Sequence, residues 1–336
     1  MSWMKKCRMK KTGNLLSICV IAGIFSVFCG AAWAAPVVLY TSQPDEDVEG
    51  LLQAFNAKHS GVEVKFFRSG TEEVVSKVMA EKMTGEIQAD VLLLADSVTF
   101  DVLKSAGVLE PYRSPELAEI PPSFVDKDGM YCGTKVLATV LLFNSDKVKT
   151  LPDSWKIMTD PAAKNDGFIA SPLYSGAAAY QLGVLARTEG IGWAYYEGLK
   201  ANGVSVGKGN GGVITAVAGG EKAYGLVVDY MALRAKLKGS PLDFAYPKEG
   251  VTVVTEPVAL VKKESSKADA RLFVDFVLSE EGQKLVSSQG YTPVRKGIAA
   301  PQGLKSVDEL KILDFDPALL AREREQDKKK FVEIFQ

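Results

Sequence analysis

The sequence predicts an α/β fold of two doubly wound sheets, joined by two hinge strands with a ligand cleft between them. Three observations carry this expectation. Short β-rich runs alternate with longer helical patterns in βαβαβα order. A second series of the same kind starts near the middle of the chain, after a long β run that no comparable helix follows. The roughly 300 residues left after an export leader also exceed what one growing core holds, so two lobes are the default.

The leader comes first. Lys5, Lys6, Arg8, Lys10 and Lys11 form a positive front, Leu15 to Phe28 is an apolar run too short for an ordinary membrane span, and Ala32-Trp33-Ala34 offers an A-x-A cleavage site. Residues 1–34 are therefore expected to be a secretory signal peptide cut before Ala35, which places the mature chain in the periplasm. Cys7, Cys19 and Cys29 leave with it, and Cys132 stays alone, so neither an internal disulfide nor a thiolate metal cluster is expected. The full chain holds 40 Lys+Arg against 41 Asp+Glu, and the leader removes only basic residues. What remains is acidic by about six charges, which argues against nucleic acid as a partner.

PVVLYTS (Pro36 to Ser42) reads as the first strand, and Asp45 to Lys58 as a helix with Val48, Leu51, Leu52 and Phe55 on one face. VEVKFF (Val62 to Phe67) is the second strand; Val74, Val75, Val78 and Met79 then recur at helical spacing. ADVLLLA (Ala89 to Ala95) is apolar throughout, as expected of a parallel strand covered on both faces, and Gly107 ends the helix after it. KVLATVLLFNSD (Lys135 to Asp146) is the long β run. GFIASP (Gly167 to Pro172) opens the second series, with helices in SGAAAYQLGVLART, GIGWAYYEGLKANG and GGVITAVAGG, and AYGLVVDY (Ala223 to Tyr230) as its last strand. After TVVTEPVALVKK (Thr252 to Lys263), DARLFVDFVLSEEGQKLVSSQG reads as one amphipathic helix. Residues 35–135 and 256–300 are thus assigned to the first lobe and 136–255 and 301–336 to the second, whose charged C-terminal helix is expected to lie on it.

In open α/β sheets ligands sit beyond the carboxyl ends of the strands, against helix N-termini. The residues there are Ser42, then Arg68-Ser69-Gly70-Thr71, then Asp96-Ser97; in the second series they are Ser175-Gly176, Asn210-Gly211-Gly212 and Asp229-Tyr230. Any one of these turns serves as an ordinary helix cap, and Ser69 with Glu72 forms a capping box that needs no ligand. As a set they leave first-turn amides available to an oxyanion. Arg68 adds a planar fork suited to a phosphate, phosphonate or carboxylate; its alternative is a surface ion pair with Glu72 or Glu73.

Asp229 ends an apolar strand and is expected either to face a cation or hydroxyl donors in the cleft, or to pair with Arg234. Tyr230 is placed to stack on or hydrogen-bond the middle of the ligand. Glu249 and Glu256, near the return crossing, are further candidates for its polar end. Catalysis finds little support: His59 is the sole histidine and sits in a helix-to-strand turn, and no HExxH, Walker or GxSxG element appears. No cofactor and no catalytic or metal-ligating set is expected.

The stretches YTSQPDEDVEGLLQAFNAKHSGVEVKFFRSGTEE, ADVLLLADSVTFDVLKSAGVLEPY, SPLYSGAAAYQL, ITAVAGGEKAYGLVVDYMAL and FVDFVLSEEGQKLVSSQGYTPVR together resemble the periplasmic solute-binding proteins of ABC importers. The likeness runs from about Pro36 to Arg295, and the nearest group includes ferric-ion, 2-aminoethylphosphonate and sugar-phosphate binders. It implies a two-lobed type II periplasmic binding fold that closes on one small ligand, acts as a monomer and hands its cargo to an inner-membrane permease. The ferric branch carries a histidine after the first strand, an acid after the third and two adjacent tyrosines. The corresponding positions here are Pro44, Ala95 and the pair Tyr230-Met231, which argues against iron unless a shift of one residue recruits Asp96. The resemblance favours a small phosphonate or phosphorylated anion, with ferric iron as the alternative. A secreted enzyme acting on phosphate esters and a sensory receptor remain as readings of other classes.

Overall fold

The computed structural model describes residues 35–263, 268–313 and 315–336. The expected signal peptide, residues 1–34, lies outside the described residues. Parallel βαβ units open the described chain. β1 (Val37–Thr41) is followed by α1 (Asp45–Lys58), β2 (Val64–Arg68) by α2 (Thr71–Thr84), and β3 (Val91–Leu93) by α3 (Ser97–Ser105). Leu92 packs with Val74, Val78 and Phe100 on one face of the sheet, and Leu93 with Phe55 and Phe273 on the other, which is why β3 is apolar at every position. Burial of such side chains stabilises by about 1.5–3 kcal/mol each. Two short strands, β4 (Leu109–Glu110) and β5 (Cys132–Gly133), lead to β6 (Lys135–Asn144), buried along its whole length.

The second half carries β7 (Gly167–Ala170), α4 (Gly176–Leu185), α5 (Gly192–Ala201), β8 (Ser205–Gly207), α6 (Asn210–Ala218), β9 (Tyr224–Val228), α7 (Asp229–Leu237), β10 (Leu242–Ala245) and β11 (Val253–Val254). The chain then returns through β12 (Pro257–Val261), α8 (Ala268–Leu278), α9 (Glu280–Ser288) and β13 (Thr292–Pro293), and finishes in α10 (Pro317–Phe335). Among the described residues the first sheet runs β2-β1-β3-β12-β4, with β5 beside β12; the second runs β10-β6-β9-β7-β8, with β11 and β13 beside β6. The single helix expected over DARLFVDFVLSEEGQKLVSSQG is in fact α8 and α9. The Ser279 hydroxyl accepts from the Gly282 amide and so starts a new helix, and a Cβ on Gly282 would lie 2.1 Å from the Phe276 carbonyl oxygen.

The outgoing and returning chains run antiparallel where they pass between the sheets, with Gly133 opposite Pro257 and Leu137 opposite Val254. The Thr134 and Lys135 amides both donate to the Thr255 carbonyl, at 3.0 and 3.2 Å. Glu256 adopts φ 41°, an uncommon state for a non-glycine residue. It is held there from both ends: the Thr134 hydroxyl donates to its carbonyl at 2.8 Å, and Lys135 Nζ lies 2.8 Å from its carboxylate. β13 adds a third passage, with Thr292 opposite Val136.

The C-terminal helix α10 packs on α4 and α5, and also on α3 of the first sheet. Leu320 sits between Val98 and Val184, while Phe331 stacks on Phe335 and meets the Tyr196 ring edge-on.

Cys132 is buried, and burial pushes its thiol up to about 12. The folded chain starting at Ala35 is therefore expected to resist maleimide at pH 8 and to take one label after denaturation, as read by mass spectrometry. Equal labelling rates in the two states would contradict this placement.

Candidate functional site

A cavity of about 380 Å³ lies between the carboxyl ends of the two sets of strands. Ser42, Arg68, Gly70 and Thr71 line it from the first sheet, Ser175, Gly176, Asn210, Gly211, Gly212 and Tyr230 from the second, and Glu256 from the crossing. The two sides meet at its mouth. The Glu72 amide, in the first turn of α2, donates to the Tyr174 carbonyl at 3.3 Å. A Cβ on Gly70 would fall 2.5 Å from that same oxygen, and one on Gly176 would fall 2.9 Å from Thr71 Cγ2 and 3.0 Å from the Ala95 carbonyl. Backbone approach this close explains why the sequence puts glycine at both positions.

Donors converge on the cavity from two helices of the second lobe. In α4 the Ser175 hydroxyl accepts from the Ala178 amide at 3.3 Å, which leaves the Gly176 and Ala177 amides without a partner among the described residues. In α6 the Gly212 amide donates to the Gly209 carbonyl at 3.1 Å, and the Asn210 and Gly211 amides are left in the same way. Bare first-turn amides at the positive end of a helix suit an oxyanion. On the first-lobe side the Ser42 hydroxyl accepts from the Ala95 amide at 3.1 Å, which orients it and leaves its O–H to donate.

The cationic side chains are Arg68 and Lys208. Arg68 Nε donates to the Gln43 carbonyl at 2.9 Å and Nη1 to the Tyr174 hydroxyl at 3.3 Å, and the residue lines the cavity. Arg68 does not form the surface pair that was its alternative. Glu72 is taken by Arg324 and Lys328, and Glu73 by Lys208 and the Ser69 hydroxyl. Lys208 Nζ stands 4.6 Å from the centre of the Tyr174 ring. Glu256, the acid in the lining, is neutralised by Lys135 and also accepts from Gln43 Nε2 at 3.1 Å. The cavity's balance is therefore positive.

Four expected residues stand elsewhere. Ser69 does not cap α2, because the helix starts at Thr71 with Gly70 as its N-cap; its hydroxyl turns to Glu73 instead. Ser97 is the first residue of α3 and lies outside the cavity lining; Asp96 is the cap, accepting from the Thr99 amide at 2.8 Å. Glu249 accepts from the Ser154 hydroxyl and lies outside the cavity lining. Asp229 faces neither the cleft nor Arg234. Its Oδ1 accepts from the Ala138 amide of β6 at 3.2 Å and from the Tyr230 amide at 2.9 Å, and the Tyr246 hydroxyl approaches Oδ2 at 3.4 Å. Arg234 is drawn instead to Asp47 of α1, with Nη1 3.0 Å from Oδ2, and the Tyr291 hydroxyl donates to that oxygen at 2.6 Å. Tyr230 remains at the cavity wall, its ring 3.9 Å from that of Tyr291.

Burial pushes Asp229 up to about 7, against the two amides that favour its charge. An unfolded aspartate titrates near ~3.9, so between these values the folded chain binds the extra proton. Stability is thus expected to fall as pH rises from about 4 to about 7, and to change no further through this group above that. Asp229→Asn retains the acceptor for both amides and removes the titration. Its stability relative to the parent should rise by about 2–3 kcal/mol between pH 5 and pH 8, measured by urea unfolding. An unchanged difference would contradict the buried placement.

The sequence did not single out Tyr174, whose hydroxyl anchors Arg68 and whose carbonyl bridges the lobes; its one signal is its place just before the Ser175 cap. Nor did it single out Lys208, although GKGNGG contains it. His59, at the end of α1, packs its ring 4.8 Å from Phe55 and plays no part in the site.

Residues 87–319 match the family of bacterial extracellular solute-binding proteins. AfuA of Actinobacillus pleuropneumoniae, solved with exogenous fructose-6-phosphate bound, is similar at TM-score 0.82 and 26% identity, covering 89% of this chain and 98% of that one. Iron-bound HitA of Pseudomonas aeruginosa is similar at TM-score 0.76 and 30% identity, covering 89% and 99%. A Salmonella typhimurium periplasmic protein named for binding 2-aminoethylphosphonate is 24% identical over 303 residues, 84% of this chain and 86% of its own. The two-sheet α/β architecture matches type II periplasmic binding proteins, and the chain belongs to the bacterial extracellular solute-binding protein family.

Proposed function

We propose that the protein is the periplasmic receptor of an ABC importer and that its cargo is a small phosphorylated organic anion. One observation carries this reading: Arg68 and the unpaired amides of Gly176, Ala177, Asn210 and Gly211 all border one cavity. Ser42, Gly70, Thr71, Ser175, Gly212 and Tyr230 are proposed to shape the same site, with Lys208 at its mouth, where Glu73 balances its charge. Export before Ala35 and delivery to an inner-membrane permease follow from the same reading.

The pairing of the nearby acids supports a sugar phosphate over an aminoalkylphosphonate. An ammonium group wants an uncompensated carboxylate, yet Asp229 faces β6 and Glu256 is already paired with Lys135. A hydroxylated phosphate fits better. Iron is supported less. The same pairing occupies Glu256, and burial, with Glu256 nearby, raises the Tyr230 phenol well above its ordinary value, against the phenolate that Fe³⁺ wants. A hydrolytic role has no support from the cavity, where neither a nucleophile with its base nor an uncompensated carboxylate pair is present among the described residues.

A thermal-unfolding panel with fructose 6-phosphate, glucose 6-phosphate, 2-aminoethylphosphonate, inorganic phosphate and ferric citrate tests the reading. A ligand at 100 times its dissociation constant adds about 2.7 kcal/mol. Stabilisation by a hexose phosphate and not by its parent sugar is expected. Stabilisation by iron alone would transfer the assignment to the ferric alternative.

A further inference from the structure

The C-terminal helix touches both lobes, through Leu320 against Val98 of α3 and through one buried arginine. α10 is anchored on the second lobe: Asp327 takes both Nη atoms of Arg187, at 2.6 and 3.0 Å, Phe331 sits in that lobe's core, and Lys200 Nζ donates to the Phe335 carbonyl at 2.7 Å. Midway along the helix, Arg324 reaches into the first lobe. Its Nη2 lies 2.6 Å from Glu72 Oε1, 2.8 Å from Asp96 Oδ2 and 3.0 Å from Thr99 Oγ1, and Lys328 Nζ lies 2.7 Å from Glu72 Oε2. Arg324, Glu72 and Asp96 are all buried there.

Glu72 belongs to the first turn of α2 and Asp96 caps α3, so each stands just behind a residue of the cavity wall, Thr71 and Ala95. Two uncompensated carboxylates there would oppose an anionic ligand, and burying them without a partner is costly. Arg324 balances them together with Lys328, which Glu325 shares. Asp96 also holds φ 67°, an uncommon backbone state that this network over-determines. We propose that Arg324 is a positioning residue that latches the lobes: carried by the second lobe, it inserts between Glu72 and Asp96 of the first, and so makes closure and neutralisation of the cavity's rear wall a single event. The neutralising part rests on the anion reading above; the latch does not.

The test therefore reads closure without a ligand. Glu73 and Lys208 meet across the cleft mouth, Nζ to Oε1 at 3.3 Å. Glu73→Cys with Lys208→Cys, in the chain from Ala35, gives a pair that a short bis-maleimide joins when the lobes close, even transiently. Adding Arg324→Gln is expected to slow cross-linking by about tenfold, Glu72→Gln to slow it less, and Arg324→Lys to restore part of the rate. Without the cysteine pair, Arg324→Gln should also weaken fructose 6-phosphate by about tenfold in calorimetric titration. A purely structural arginine would lower the melting temperature and leave both the cross-linking rate and the affinity unchanged. Unchanged cross-linking in Arg324→Gln and Glu72→Gln, both shown to be folded, overturns the latch. If the parent protein binds no phosphoryl probe while Arg324→Gln still slows cross-linking, the anion reading fails and the latch stands.

Discussion

Gly70→Ala is expected to leave the protein folded and to weaken its ligand roughly 100-fold. Gly70 has φ −64° and ψ 152°, a conformation alanine adopts freely, so the open chain accepts the change without strain. In the closed form the new methyl would lie 2.5 Å from the Tyr174 carbonyl and 2.6 Å from two of its ring carbons. A backbone oxygen cannot rotate away as a side chain can, so the lobes must stay apart. Overpacking of this kind costs about 1–3 kcal/mol or more, and all of it falls on closure. The check pairs calorimetric titration of the ligand with a melt of the empty protein: affinity should drop while the empty protein's melting temperature holds. Unchanged affinity would mean that the glycine-to-Tyr174 approach is not part of the loaded state. Gly176→Ala, placed against Thr71 and the Ala95 carbonyl, should act in the same direction.

Arg68→Ala is the second large effect. The guanidinium is exposed and bonds a carbonyl and a hydroxyl, so its loss removes no buried ion pair and should change folding stability by less than about 0.5 kcal/mol. For a phosphorylated ligand it removes a charge-assisted, two-pronged contact in a partly dehydrated cavity, which is expected to cost about 1.5–3 kcal/mol, or roughly 10- to 100-fold in affinity. Arg68→Lys should recover only part, since an ammonium keeps the charge and loses the fork. A neutral parent sugar, if it binds at all, should be indifferent to the change. Equal losses for the phosphate and the parent sugar would point to a steric role for Arg68 and against the grip.

What the sequence made legible was local. Apolar runs such as Val91–Leu93 and Lys135–Asn144 declare strands covered on both faces, and the small and glycine residues that follow strands mark where the cavity lies, as Gly70, Gly176 and Gly211 do. What it hid was set by partners far along the chain. Asp229 reads as a cleft acid, yet its orientation is decided by the Ala138 amide 91 positions away. Arg234, its apparent neighbour, is claimed by Asp47 at a separation of 187, and Glu72, the expected partner of Ser69, by Arg324 at 252. A charged residue goes where its unlike charge can be buried with it, and periodicity carries no record of that. The same holds for α10, whose charged pattern suggests a surface helix and conceals the residue that reaches the first sheet.

In the proposed function, Arg68 and the front amides of α4 and α6 grip a phosphoryl group in the cleft. A crystal structure of the chain from Ala35, grown with whichever phosphorylated compound stabilises it most, tests this most directly. The phosphorus is expected beside the Arg68 guanidinium, with its oxygens on the amides of Gly176, Ala177, Asn210 and Gly211. A ligand seated elsewhere, with Arg68 still bonded only to the Gln43 carbonyl and the Tyr174 hydroxyl, would contradict it, as would a metal ion held by Tyr230 and Glu256.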